Sequence, residues 1–213
     1  MDLWTTIAEE RASILETFEG LAAPQWDVPS LCGHWTVRQV LGHLIVAAAP
    51  PTGRFLGQVV KARGSFDTAN DRLACIEAER PVDALLARYG ERLGERLGER
   101  NAPPGFGPRA PLADVLLHSL DVRIPLGLPS DRAPERYAPA LDMLFTRLAA
   151  AAFVPKGRPK LRWVATDHAW AHGTGDEVHG TMADLTMAAS GRGARVDALA
   201  GPGQPAVAAW VRG

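Results

Sequence analysis

Residues 113–123 read ADVLLHSLDVR, and they place an acid, a histidine and a second acid inside an apolar run. Asp114, His118 and Asp121 recur at steps of four and three, which on a helix brings all three to one face. Val115, Leu116, Leu117 and Leu120 flank them, as in a helix that faces a core. The segment is therefore predicted helical from about 111 to 124, stopped by Pro125. A core-facing helix that carries two acids and an imidazole poses a chemical question, and the rest of the chain bears on it.

The neighbouring segments read mostly as helices. Residues 3–22 place Leu3, Ile7, Ile14, Phe18 and Leu21 at helical spacing. After the Pro-bearing link APQWDVPSLCGHW, Thr36 with Gln39 three residues later forms a capping box ahead of VRQVLGHLIVAAA. Pro50-Pro51 closes that helix. Helices are also expected over 53–63 and 67–78. Pro81 suits the first turn of a long helix to about residue 98, with Leu85, Leu86, Tyr89, Leu93 and Leu97 inward. Its GERLGERLGER repeat reads as a solvated face with Arg92–Glu95 and Arg96–Glu99 pairs. NAPPGFGPRA is a loop by composition. One further helix is expected from Pro134 to about Phe153.

The character changes at the linker VPKGRPK (154–160). LRWVATD has strand composition, HGTGDEVHG is turn-rich, TMADLTMAAS is helical, and QPAVAAWV suits a short closing helix. The fold class expected is mainly α: a helical bundle over 1–155 followed by a small α+β unit over 158–213.

Composition narrows the functional classes. The 213 residues are 46% hydrophobic and 22% charged, ordinary for a folded soluble chain. A formal net charge of -1 gives no electrostatic reason to expect nucleic acid or an anionic membrane surface. Cys32 and Cys75 lack the paired spacing of a disulfide framework or a cysteine-type zinc site. The opening MDLWTTIAEERAS lacks a basic n-region before an apolar stretch, and no apolar run approaches the roughly 20 residues of a membrane span. The expectation is a cytoplasmic globular protein, a monomer or homodimer.

Metal ligation is one answer to the question posed by 113–123. His43, in VLGHLIV, lies on the side of its helix that should face the core, as His118 does. A carboxylate one helical turn before a histidine can share a cation with it. Desolvating Asp114 without a partner would cost several kcal/mol. His43, Asp114 and His118 would leave coordination positions open, as a catalytic site requires. In the competing reading Asp114 is a first-turn acid on the helix dipole. Asp121 then pairs with Arg123 or orients His118. Without metal, His43, Asp114 and His118 would form a buried hydrogen-bonded cluster. His34 reads as a loop residue, and His168, His172 and His179 as turn residues. Cys32 reads as a small buried side chain, with a reactive thiol as the alternative.

Several segments carry a resemblance to a known family. SLCGHWTVRQVLGHL (30–44) resembles the opening segment of the maleylpyruvate isomerase-like, mycothiol-dependent enzymes of the DinB superfamily. DVLLHSLDVRIPLGLP (114–129) resembles their second-ligand segment, and GRFLGQVVKARGSFDTANDRLA (53–74) the stretch between. WVATDHAWAHGTGDEVHGTMADLTMAASGRGARVDALAGPG (163–203) is similar to their C-terminal domain. The resemblance implies a DinB-type four-helix bundle with an appended α/β domain. It also implies a divalent metal, with zinc the expected ion, held by His, Glu and His. Those positions are His43, Asp114 and His118 here, so aspartate stands where the family has glutamate.

The implied activity is addition of the thiolate of mycothiol to a small electrophilic substrate. The outcome would be cis-trans isomerisation or S-transfer. Asp121 is the implied partner of His118. An arginine is expected to hold substrate carboxylates. Arg54, Arg109, Arg123 and Arg192 are available, and Arg192 and Arg54 are carried with Asp121 as catalytic candidates. The alternative is a non-catalytic protein of the same fold that binds a divalent metal or a small molecule.

Overall fold

The computed structural model describes residues 2–48, 57, 60–61, 66–94, 102, 105–130 and 132–213. The helix expected over 53–63, the far end of the GERLGERLGER repeat, and Arg54 fall outside these residues or nearly so. The chain is 59% helical with one small three-stranded sheet among the described residues, in keeping with the mainly α class. It divides into two compact units: Met1–Pro111 with Asp121–Pro129, and Leu112–Leu120 with Ser130–Gly213.

The first unit is a helical bundle. Helix α1 (Leu3–Glu19) is capped by the Asp2 carboxylate, which accepts from the Trp4 N–H at 3.2 Å. It buries Ile7, Ile14 and Phe18 at the predicted spacing. A 3-10 turn, Ala23–Asp27, carries Trp26 onto Phe18, with ring centroids 5.7 Å apart. Helix α2 (Val37–Ala47) opens on the expected capping box: the Thr36 hydroxyl accepts from the Gln39 N–H, and the Gln39 side chain accepts from the Thr36 N–H at 2.9 Å. Thr36→Ala removes one half of this box and is expected to lower stability by about 1 kcal/mol, read as a fall in the urea midpoint at constant slope.

Helix α3 (Phe66–Ala78) packs on α2, as does α4 (Val82–Gly94), which in turn packs on α1. Leu85 and Tyr89 are the fully buried positions of α4, while Leu86 and Leu93 are half-buried. Helix α5 (Arg109–Arg123) starts two residues before the predicted boundary. Its last residue is a structural tie. The Arg123 guanidinium donates to the carbonyls of Ser13 and Pro129 and to the hydroxyls of Ser13 and Thr17, at 2.7–3.1 Å.

The second unit holds the middle of α5 and everything after Pro129. The single helix expected from Pro134 to Phe153 is in fact three pieces: a 3-10 turn Pro134–Arg136, α6 (Ala138–Leu144) and α7 (Arg147–Ala152). Thr146 makes the break. Its backbone is extended (φ -69°, ψ 151°), its hydroxyl accepts from the Ala149 N–H, and it donates to the Met143 carbonyl at 2.8 Å. A threonine that satisfies both helix ends locally competes with a continuous helix.

The sheet comprises β1 (Arg162–Ala165), β2 (Ala171–His172) and β3 (Glu177–Gly180) in the order β2-β1-β3. Strand β2 runs antiparallel to β1, with Trp163 opposite His172, and β3 runs parallel to it, with Trp163 opposite Val178. The turn-rich reading of HGTGDEVHG is therefore correct only for its first half. Gly173 takes φ +86°, and a Cβ there would lie 2.2 Å from the Leu161 carbonyl oxygen, so the turn demands glycine. EVHG then alternates, with Val178 and Gly180 buried and Glu177 and His179 half-buried, over too few residues to announce a strand. Helices α8 (Met182–Ala189) and α9 (Gln204–Arg212) match the predicted pair. Leu185, Met187 and Val207 join Trp163 and Val178 as fully buried side chains.

Candidate functional site

Helix α2 presents His43 as a buried side chain one position after Gly42. Gly42 exists because α3 passes against it: a Cβ there would sit 2.4 Å from the Ala74 carbonyl oxygen and 3.1 Å from the Ala78 nitrogen. The imidazole is held on two sides. Its Nδ1 lies 3.1 Å from Asn70 Oδ1, and the Trp35 ring lies over it at 5.1 Å between centroids, tilted by 32°. Trp35 is in turn fixed by its indole N–H, which donates to Asp71 Oδ1 at 2.7 Å. His34 Nε2 reaches the same oxygen at 2.9 Å, so this exposed loop histidine serves the Asp71 carboxylate.

Helix α5 contributes the acid and imidazole quoted at the outset. His118 is buried, Asp114 is half-buried, and His118 Nε2 lies 3.5 Å from Asp114 Oδ1, one turn apart. Because α5 begins at Arg109, Asp114 stands in the second turn and no acid occupies the first. A stabilising role at the helix dipole therefore does not explain it, since that effect falls off within the first turn.

The 3.5 Å separation suits two donors on one ion. With metal–ligand bonds of about 2.0–2.1 Å in tetrahedral geometry, neighbouring donor atoms stand roughly 3.3 Å apart. Asp114 and His118 thus offer an oxygen and a nitrogen donor from one face of α5. An oxygen–nitrogen pair of this kind suits zinc and other borderline divalent ions.

Asp121 has no exposed surface, and its backbone carbonyl accepts from the Leu31 N–H at 3.1 Å. Cys32 is half-buried, where the sequence reading expects a buried side chain. The other cysteine, Cys75, sits near Gln39, and burial followed by the Asp71 charge pushes its thiol pKa up, which keeps it protonated.

The remaining candidates are placed as follows. Arg192 donates to the Ser190 hydroxyl at 3.1 Å, Arg109 is exposed at the start of α5, and Arg123 forms the tie already described. His168, His172 and His179 lie in the second unit. His172 stacks on Phe145 at 4.2 Å, and His179 Nε2 lies 3.0 Å from Glu177. No helix of the described residues is long and apolar enough to cross a membrane.

Three comparisons with known proteins bear on this geometry. The family model of the mycothiol maleylpyruvate isomerase N-terminal domain matches residues 7–123, a span that holds His43, Asp114 and His118. Among solved structures, the chain is similar to the mycothiol-dependent maleylpyruvate isomerase and to a histidine-to-alanine mutant of it. The TM-scores are 0.60 and 0.62, each at 14% identity over 95% of this chain and 93% of that one. At that identity the likeness concerns the fold. No curated protein matches the chain by sequence.

Proposed function

Because the chain belongs to the mycothiol maleylpyruvate isomerase N-terminal domain family, we propose that it is a metal- and thiol-dependent enzyme. It adds the thiolate of a low-molecular-weight thiol, mycothiol, to a small electrophile, as a cis-trans isomerase or an S-transferase. The observation that carries the reading is the α5 pair, with Asp114 Oδ1 3.5 Å from His118 Nε2, to which the family resemblance adds His43. These three residues would hold the divalent ion, zinc being the expected one. When bound, that ion supplies positive charge that favours thiolate over thiol at neutral pH.

The chain's own residues do the rest. His43 and His118 are buried, which strengthens their electrostatic interactions, while Asp114 is half-buried. Asp121, fully buried on the same helix, is the residue assigned to orient His118. For isomerisation, addition of sulfur turns the substrate double bond into a single bond that rotates before the thiol departs. Arg192 and Arg54 are the arginines proposed to pair with a substrate carboxylate.

The test incubates zinc-loaded protein with mycothiol and a panel of electrophiles and follows thiol consumption and isomer ratio. Turnover that disappears in His43→Ala supports the enzyme. Tight zinc binding with no turnover on any electrophile supports a binding protein instead, a reading favoured by aspartate standing at the family's glutamate position. The carboxylate has its own expected result: Asp114→Glu keeps zinc affinity, and Asp114→Ala lowers it by about 1–3 kcal/mol. Unchanged affinity in Asp114→Ala would remove Asp114 from the ligand set.

A further inference from the structure

We propose that Asn70 is a positioning residue for His43, its side-chain oxygen accepting the Nδ1 proton and leaving Nε2 as the nitrogen that offers a lone pair. The inference rests on His43 being a metal ligand, and the experiment below separates the two.

A neutral imidazole carries one proton on either of two nitrogens, and the partner of one nitrogen decides the role of the other. An amide oxygen can only accept. With Asn70 Oδ1 at 3.1 Å from Nδ1, the proton belongs on Nδ1. Ligating histidines as a rule donate their second ring N–H to an acceptor of this kind, which fixes both tautomer and ring orientation. Asn70 does so from another helix, 27 residues away in sequence.

The surroundings of the bond show a built holder. Asn70 lies one turn before Ala74 on α3, and Ala74 is the residue whose carbonyl meets Gly42, the neighbour of His43. The contact that brings the two helices to this close approach therefore also sets the hydrogen-bond distance. The next residue along, Asp71, anchors Trp35 at 2.7 Å, and the Trp35 ring covers the imidazole. Consecutive residues of α3 thus restrain the ring twice, Asn70 against rotation and Asp71, through Trp35, against displacement. A neutral amide accomplishes this without adding a charge beside the donor set.

The experiment uses the full chain and two readouts. Long-range 15N–1H NMR of the metal-free protein reports the His43 tautomer, and zinc affinity is measured by competition with a chromophoric chelator. The wild type is expected in the Nδ1–H form. Asn70→Leu is expected to lose that preference and to weaken zinc binding 10–100-fold, while Asn70→Asp, which keeps an acceptor, stays within a few-fold. Asn70→Ala reads the same way if the leucine variant does not fold, with melting temperature as the control. The proposal is overturned if Asn70→Leu keeps both tautomer and affinity, or if wild-type His43 is protonated on Nε2. A wild type that binds no zinc but shows the Nδ1–H form dependent on Asn70 would sink the metal reading and leave the positioning role standing.

Discussion

A Gly42→Ala protein is expected to lose about 3 kcal/mol of stability, although it gains a better helix former. The added methyl would lie 2.4 Å from the Ala74 carbonyl oxygen and 3.3 Å from the Ala78 Cβ, and neither a carbonyl nor a Cβ can swing away as a long side chain would. Relief requires α2 and α3 to separate, which stretches the Asn70–His43 hydrogen bond. The variant is therefore expected to combine a lowered urea midpoint with weakened zinc binding. Gly90, in the middle of α4, is the control. The nearest atom to a Cβ there is Leu15 Cδ2 at 3.8 Å, an ordinary contact, so Gly90→Ala should stabilise by up to about 1 kcal/mol. If both substitutions shift the midpoint alike, the backbone approach at Gly42 is not the reason for that glycine.

His118→Ala is expected to have the largest effect on metal binding. His118 is the nitrogen donor of the one-turn pair on α5, so its loss leaves the Asp114 oxygen as the remaining donor of that pair. Outer partners of ligating residues are worth 10–100-fold in affinity, and loss of a ligand itself should exceed that, by more than about 100-fold. Isothermal titration with zinc reads this directly. Asp121→Asn keeps the side-chain shape and one acceptor oxygen on the same helix and should cost far less. Equal zinc affinity in wild type and His118→Ala would place the ion, if one binds, elsewhere in the chain.

The elements that were legible in the sequence share a physical property: their signals are local. The Thr36–Gln39 box, the Asp114–His118 step and the apolar period of α1 all act within one or two helical turns. Where prediction departed from structure, a non-neighbour or a short side chain decided the outcome. Thr146 broke the helix expected over 134–153 by bonding both helix ends, and a threonine in an alanine- and leucine-rich run gives little warning of that. EVHG became a strand because β1 was there to pair with it, and four residues carry too little period to show it.

The sequence by itself determined the helical character, the capped start of α2 and the one-turn pairing of Asp114 with His118, because each depends on residues a few positions apart. It also displayed, through segment resemblance, a family that the match over 7–123 bears out. Only the tertiary structure decided why Gly42 is glycine and which residue holds the His43 ring. These depend on the distance between helices, which the packing of many side chains sets together and no short stretch encodes.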